Sequence, residues 1–314
     1  MKSGMLSATL PVSATAEETL ASKGRSFHWA RTFLGEPHAS RATRLYAFCR
    51  HLDDLADEAS SRDSAREKLL RVRSAVSSGI TSDPILRDGL DLMHECRISP
   101  AIILELVEGL LSDLDSVRIP DEASLLRYSY RVAGTVGVMM CGVLDVHNPV
   151  AYPHAIDLGI AMQLTNICRD IAADAAMNRC YLPATMIGGI EPADLVLPEE
   201  NLLPLLRRSV SWLLDQADLY YVSGERGLAY LPLRARCGIL AAARVYRAIG
   251  TQLRRRDCDY WSQRVVVGSP EKAIITASAF LRTPLTNFFW HPAASHDSSL
   301  HVALRGFPGT GNNA

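Results

Sequence analysis

Apolar residues recur along most of this chain at the three- and four-residue spacing that places side chains on one face of a helix. Residues 101–114 show this pattern well, and their acidic residues Glu105, Glu108 and Asp113 are interpreted as the solvent-exposed side. The apolar stripe of this segment comprises Ile103, Leu106, Val107, Leu110, Leu111 and Leu114. Few runs alternate with the two-residue period of strands, and no hairpin dipeptide separates two apolar segments. The pattern therefore predicts an all-α protein.

One apolar segment, Val132 to Leu144, contains no charged residue. It is shorter than the roughly 20 residues that a membrane-spanning helix needs, so we expect a helix buried in a protein core. Gly134 and Gly137 each cost about 1 kcal/mol inside a helix. They are explained either by close approach of another helix or by room for a ligand, and the sequence leaves both explanations open.

The helix predicted over Ala42 to Ala59 carries Asp53 and Asp57, which lie one turn apart on a single face, with Arg50 one turn earlier. Two like charges at this spacing cost an isolated helix a few tenths of a kcal/mol, and a bound cation would relieve the repulsion. Oxygen ligands suit Mg²⁺, which proteins commonly hold with one or two carboxylates plus substrate phosphates. A solvated acidic face at a helix end explains this segment equally well.

A second segment repeats the design further along the chain. Asp170 and Asp174 are again four residues apart, Asn166 lies one turn earlier, and Gln163 lies near the same face. Two helices that each carry an Asp-x-x-x-Asp face could clamp a diphosphate through bridging Mg²⁺ ions, with arginines completing the charge neutralisation. The two motifs together predict a site for metal and diphosphate more specifically than either does alone.

Composition bounds the class of protein. At 314 residues and 48% apolar content, the chain can bury a large core, and its net charge of −1 gives no general attraction to nucleic acid. Seven cysteines without a close Cys-x-x-Cys pair predict reduced thiols in a cytoplasmic protein rather than disulfides or a zinc site. We expect a flexible leader at 1–19, a single all-α domain at 20–285 and a disordered tail at 286–314.

The motifs resemble those of the squalene/phytoene synthase family of head-to-head prenyl transferases, in the family's order from about residue 20 to about residue 282. Two stretches, Asp157 to Pro183 and Gly224 to Arg234, look most like bacterial phytoene synthases. The matching pieces, besides the second aspartate motif, are Gly24-Arg25-Ser26-Phe27, Leu45 to Arg50 running into the first aspartate motif, Tyr128 to Gly137, Asn178 to Pro183, Val245-Tyr246-Arg247 and Gln263-Arg264-Val265.

This resemblance implies an isoprenoid-synthase-type helical bundle around a central apolar cavity, with the two aspartate helices at its mouth. The implied reaction condenses two geranylgeranyl diphosphates, through a cyclopropyl (prephytoene) diphosphate, to 15-cis-phytoene in carotenoid biosynthesis. The implied cofactor is Mg²⁺, with Mn²⁺ as an alternative. No NADPH is expected, and the chain carries no Gly-x-Gly-x-x-Gly fingerprint.

The resemblance also implies roles for individual residues. Metal binding falls to Asp53, Asp57, Asn166, Asp170 and Asp174, and the catalytic residues are these four aspartates together with Tyr128. Substrate binding falls to Arg25, Ser26, Arg50, Gln163, Arg169, Tyr246 and Arg264.

Prenyl diphosphates are the expected partners, and nucleic acid is not. The expected location is cytoplasmic, with peripheral contact at the inner face of the membrane for product release left open. The nearest alternative is the same chemistry on farnesyl diphosphate, giving squalene or dehydrosqualene. A catalytically silent family member acting as a binding subunit is another, although such a protein has no need for two repelling carboxylate pairs. A helical scaffold with acidic surface patches is the remaining alternative.

Overall fold

The computed structural model describes residues 25–292 and 295–311, and in the first helix it describes side chains from Phe27 onward. The expected leader at 1–19 lies outside the described residues. The α-helices in chain order are α1 Arg25–Arg31, α2 His38–Asp57, α3 Arg62–Ser78, α4 Pro84–Glu95, α5 Pro100–Ser112, α6 Glu122–Ser129, α7 Thr135–Val143, α8 Tyr152–Ala176, α9 Ala184–Ile187, α10 Pro192–Val196, α11 Leu203–Glu225, α12 Leu233–Arg255, α13 Ser269–Arg282 and α14 Asn287–Trp290. The described residues contain no strand beyond an isolated bridge between Arg118 and Cys180, so the all-α prediction is confirmed.

Shorter helical turns connect several of these elements. A π-helical turn, Tyr130–Gly134, joins α6 to α7. The 3₁₀ turns are Pro149–Ala151, Leu228–Tyr230, Thr283–Leu285 and Ser298–Leu304.

Polar N-cap residues define where three helices of the first half begin. Ser61 accepts a hydrogen bond from the backbone N–H of Ser64, and Asp83 accepts from the N–H groups of Ile85 and Leu86. Ser99 caps α5 in the same way and is followed by a proline at the first helical position. Each cap satisfies backbone donors that have no partner within the helix. The sequence therefore specifies the start of each of these helices locally.

Helix α8 occupies the centre of the fold and packs against α7, α10, α11 and α12. Its residues Ile156, Ile160, Ala161 and Leu164 are fully buried. A helix that is apolar on most sides is typical of a core position. The second aspartate motif follows this buried stretch, so the core fixes the position of the motif.

Glycines bring α8 close to α7 and to the π-helical turn that precedes α7. A Cβ atom at Gly137 would lie 2.1 Å from the carbonyl oxygen of Ala155, and one at Gly159 would lie 2.3 Å from that of Ala133. Neither position can accept a side chain without moving a backbone. Close helix approach is thus the reason for Gly137, and it sets one wall of the cavity that this residue also lines. A Cβ at Gly134 would meet only side chains, the nearest being Tyr130 at 3.1 Å.

Most of the expected disordered tail is instead folded onto the domain. The turn Ser298–Leu304 buries His301 completely, and the Tyr130 hydroxyl donates to the carbonyl of Pro308 at 2.6 Å. Asp157 accepts hydrogen bonds from His301 and from a second tail histidine. The polar composition that predicted disorder therefore supplies partners for buried polar groups of the domain. The expectation of disorder fails for residues 295–311.

No helix in the described ranges combines the length and the apolarity that a membrane span requires. The uncharged segment Val132 to Leu144 lies in the core, as predicted, with Met139 and Val143 fully buried. All seven cysteines are free thiols.

Candidate active site

A cavity of about 610 Å³ lies between the helices and is lined mainly by apolar side chains. Helices α2, α7, α8 and α12 all contribute to its wall. Four of its charged or polar lining residues come from the carboxyl-terminal halves of α2 and α8, namely Arg50, Asp53, Asn166 and Arg169. The cavity therefore has an apolar interior and a polar mouth.

Helix α8 shows this change of character along a single face. Ala155, Leu158 and Met162 line the cavity and are followed at helical spacing by Asn166 and Arg169. From Ala155 to Asn166 the face runs for about three turns, or about 17 Å. The depth of the cavity is therefore set by α8.

The first aspartate motif reaches the mouth from α2. Asp53 lines the cavity, and burial raises the pKa of its carboxyl to about 7 against the opposing charge of Arg50, with the carboxylates of Asp57 and Asp113 adding to the rise. Asp57 is half-exposed and forms an ion pair with Arg179 at 3.2 Å. In the absence of a cation, the carboxyl of Asp53 is thus only partly ionised at neutral pH.

The second motif reaches the mouth from α8. Asp170 accepts from Arg169 at 2.9 Å and from Arg264 at 2.7 Å. Although burial opposes ionisation, these two guanidinium groups hold the pKa of Asp170 below its usual range. Burial, together with the charge of Asp170, raises the pKa of Asp174 to about 7. At neutral pH Asp170 is therefore ionised, whereas Asp174 is only partly ionised.

The two motifs face a common space, because Asp53 from α2 and Asn166 and Arg169 from α8 line the same cavity. Between them, Asn166 Oδ1 is buried and has no hydrogen-bond partner among the described residues. Oxygen donors from carboxylates and one amide form the ligand set that hard divalent cations prefer. A cation here would relieve the repulsion between the carboxylates and would provide Asn166 with a partner. The residues present therefore fit a divalent metal.

The structure brings most of the predicted substrate-binding residues together. Arg50, Gln163, Arg169, Tyr246 and Arg264 all line the cavity at or near its mouth. Arg50 also pairs with Asp54 at 2.5 Å, a contact within α2 that spacing alone explains. The backbones of Arg25 and Ser26 begin α1, but their side chains lie outside the described residues.

Asp113 belongs to this site, and its assignment to a solvent-exposed face is wrong. Its two carboxylate oxygens accept hydrogen bonds from the hydroxyls of Tyr128 at 2.9 Å and Tyr181 at 2.8 Å, and the two rings stack with centroids 4.8 Å apart. Burial raises the pKa of Asp113 to about 6. The sequence does contain a sign that Asp113 is buried: it lies three residues after Leu110, which places it on the apolar stripe rather than on the opposite face.

Tyr128 is not one of the residues that line the cavity. Its connection to the site is the hydrogen bond that its hydroxyl donates to Asp113. Burial raises the pKa values of Tyr128 and Tyr181 above the ordinary range for tyrosine, so both hydroxyls keep their protons. Both therefore act as hydrogen-bond donors to Asp113 at neutral pH.

Comparison with known proteins identifies relatives over most of the chain. A sequence model described as squalene/phytoene synthase matches residues 20–271. A 15-cis-phytoene synthase from Pantoea ananas is 32% identical over 88% of this chain and 94% of its own length. A phytoene synthase from Thermus thermophilus is 39% identical over 81% of this chain and 89% of its own length.

Solved structures share the fold. A dehydrosqualene synthase in complex with a ligand superposes with a TM-score of 0.76 at 24% identity, covering 87% of this chain and 96% of its own. A squalene synthase from Alicyclobacillus acidocaldarius gives a TM-score of 0.67 at 22% identity, over 79% of this chain and 97% of its own. At these identities the likeness establishes the helical isoprenoid-synthase fold alone. Together with the sequence matches, it means that this chain belongs to the squalene/phytoene synthase family of divalent-metal-dependent prenyl transferases, which act on prenyl diphosphates.

Proposed function

We propose that the protein is a 15-cis-phytoene synthase that condenses two molecules of geranylgeranyl diphosphate. The observation that carries the proposal is the match to several curated phytoene synthases at 32–39% identity over most of the chain. A deep apolar cavity with a carboxylate-rich mouth supports it, because the substrate has a long hydrocarbon tail and a diphosphate head.

In this proposal Asp53, Asp57, Asn166, Asp170 and Asp174 hold Mg²⁺. When bound, the ion supplies Lewis-acid stabilisation of the negative charge on a departing diphosphate. The ligand set is all oxygen, which favours Mg²⁺ over softer metals and admits Mn²⁺ as an alternative.

Arginines complete the neutralisation of charge at the mouth. Arg264 uses two donor nitrogens on Asp170 and is more than half exposed, so its other N–H donors can reach a phosphate oxygen. Arg50 and Arg169 line the cavity beside it, and the hydroxyl of Tyr246 is a further donor. Planar guanidinium groups suit phosphate because they donate two parallel hydrogen bonds.

The chemistry proceeds in two stages. In the first, the donor's C–O bond breaks, the allylic cation alkylates the acceptor's double bond, and loss of a proton gives the cyclopropyl diphosphate. In the second, the remaining diphosphate leaves, the cation rearranges, and loss of a second proton forms the central double bond. Both steps balance without a reductant, and the apolar wall keeps water from the cations.

The test is incubation of the purified protein with labelled geranylgeranyl and farnesyl diphosphates, with and without Mg²⁺ and NADPH, followed by product extraction. The proposal expects phytoene from the C20 substrate, dependent on the metal and independent of NADPH. A dominant C30 product would establish a squalene or dehydrosqualene synthase instead. No product from either substrate, with the metal present, would favour a silent binding subunit. A cytoplasmic location with contact at the inner membrane face stays a prediction, which fractionation would test.

A further inference from the structure

Three histidines surround a buried carboxylate far from the mouth of the cavity. Asp157 and His154 lie one turn apart on α8, whereas His296 and His301 come from the folded C-terminal segment. Asp157 and His301 are fully buried, and His154 is 1% exposed. Asp157 Oδ2 lies 2.7 Å from Nε2 of His296, and Oδ1 lies 2.8 Å from Nε2 of His301. Along α8, Asp157 is about 20 Å from Asp170.

The protonation of His154 follows from its contacts. Its Nδ1 lies 2.8 Å from the carbonyl oxygen of Ser223, which can only accept, so Nδ1 carries the hydrogen. In the neutral ring, Nε2 then carries the lone pair. Nε2 is buried without a hydrogen-bond partner among the described residues, and an unpartnered buried acceptor is destabilising.

We propose that His154, Asp157 and His296 bind a divalent transition-metal ion, with Zn²⁺ the best match. One potential ligand atom from each of the three residues lies within 4.8 Å of the other two. Two imidazole nitrogens and a carboxylate oxygen form a donor set that zinc accepts, and they differ from the all-oxygen set at the mouth. His301 orients the carboxylate through Oδ1, as supporting residues commonly do around metal ligands.

Metal binding requires only a small rearrangement of the cluster. Ligands placed 2.0–2.1 Å from a tetrahedral zinc lie about 3.3 Å from each other. The ligand atoms of Asp157 and His296, which are 2.7 Å apart, must therefore separate by about 0.6 Å, and the His154 atom, which lies within 4.8 Å of both, must approach them by up to about 1.5 Å. The hydrogen bond from His296 to Oδ2 of Asp157 is replaced by the metal, and His154 Nε2 gains the partner it lacks.

The ion would join the C-terminal segment to the wall of the cavity. His154 lines the cavity together with Ala151 and Leu228, at the end opposite the aspartate motifs. His296 holds the segment 295–311 against the same helix. The proposed site is therefore structural: it fixes the closed end of the cavity and takes no part in diphosphate chemistry.

The test uses the full chain without an affinity tag, stripped with a chelator and then equilibrated with Zn²⁺ or Co²⁺ and desalted. We expect one retained equivalent of zinc, the visible absorption of tetrahedral Co²⁺ without a thiolate band, and a melting temperature that falls on stripping and recovers with Zn²⁺. The His154→Gln and His296→Gln variants should bind at least about tenfold more weakly. His147→Gln, at an exposed histidine, should bind as the wild type does.

The variant Asp170→Asn separates this site from the mouth, and it should retain the zinc. Retention of equal zinc by both cluster variants would place the metal elsewhere and overturn the proposal. If the variants fail to fold, the wild type alone decides. A cluster held only by hydrogen bonds would keep no metal after desalting, and its melting temperature would not respond to chelator or Zn²⁺.

Discussion

Ala155 offers a direct test of substrate length. It lines the cavity about three helical turns, or about 17 Å, before Asn166 at the mouth, and its methyl group is partly exposed to the interior. The cavity residues that precede it in this part of the chain are His154 on α8 and Ala151 in the 3₁₀ turn before α8. A phenylalanine at position 155 would therefore fill space at the closed end and leave the mouth unchanged.

The expected effect follows from the extra isoprene unit of a C20 chain. Burying about five CH₂-sized groups at about 0.8 kcal/mol each contributes about 4 kcal/mol, which is close to a 10³-fold preference. The Ala155→Phe variant should lose up to about this factor in kcat/KM for geranylgeranyl diphosphate. It should keep kcat/KM for farnesyl diphosphate within about tenfold, because the shorter chain need not reach the altered end.

The assay is competition between equal amounts of the two labelled diphosphates, with the ratio of C40 to C30 product as the readout. The control is Ala277→Phe, which adds the same ring at an exposed position of α13. If Ala155→Phe lowers turnover of both substrates equally while its melting temperature matches that of the control, the closed end has been assigned wrongly.

Three further predictions concern the mouth. Asp53→Ala or Asp170→Ala should abolish turnover while leaving the helix content unchanged in circular dichroism. A chelator should abolish turnover of the wild type reversibly. Full activity after exhaustive chelation would exclude the metal mechanism. Asp113→Asn removes the charged acceptor of the hydrogen bonds from Tyr128 and Tyr181, a change worth about 1.5–3 kcal/mol. Turnover should therefore fall roughly tenfold to a hundredfold. Unchanged turnover would make the tyrosine pair irrelevant to catalysis. Because the pKa of Asp113 is raised to about 6 in the folded protein, its contribution to stability is present below about pH 4 and is lost as pH rises through about 6. In denaturant titrations the Asn variant should therefore gain stability relative to the wild type over that range, and a constant difference would contradict the assignment.

The aspartate helices were predictable because their signals are local. The helical spacing of Leu45, Phe48 and Leu52 marks the buried side of α2, and Asp53, beside it, lines the cavity with Asp57 one turn further on. The same logic applies to α8, whose buried stripe fixes the direction of its polar face. Periodicity predicts which face of a helix a residue occupies, and for these two motifs the face alone was enough to predict that their aspartates lie together.

Asp113 and the tail show what periodicity leaves undetermined. Asp113 lies at the end of an apolar stripe, and only the three-dimensional position of Tyr128 and Tyr181 makes its burial favourable. The composition of the tail predicts disorder, yet His301 is buried because Asp157 accepts its hydrogen bond. Asp157 lies more than 100 residues earlier in the chain, so the composition of the tail gives no sign of this partner. Both cases depend on partners distant in sequence, which composition and spacing cannot supply.

The ion pairs at the mouth explain how so many carboxylates can lie together before any ligand binds. Asp170 is held by Arg169 and Arg264, Asp57 by Arg179, and the remaining carboxyls of the motifs have pKa values near 7. A carboxylate that ligates a cation gives up these guanidinium groups, whose donors then suit phosphate oxygens. Cation and diphosphate binding is thus an exchange of partners among charges already present. Under the proposed function, the same arginines that stabilise the free site also bind the substrate, so replacing Arg264 should weaken diphosphate binding and also raise the pKa of Asp170.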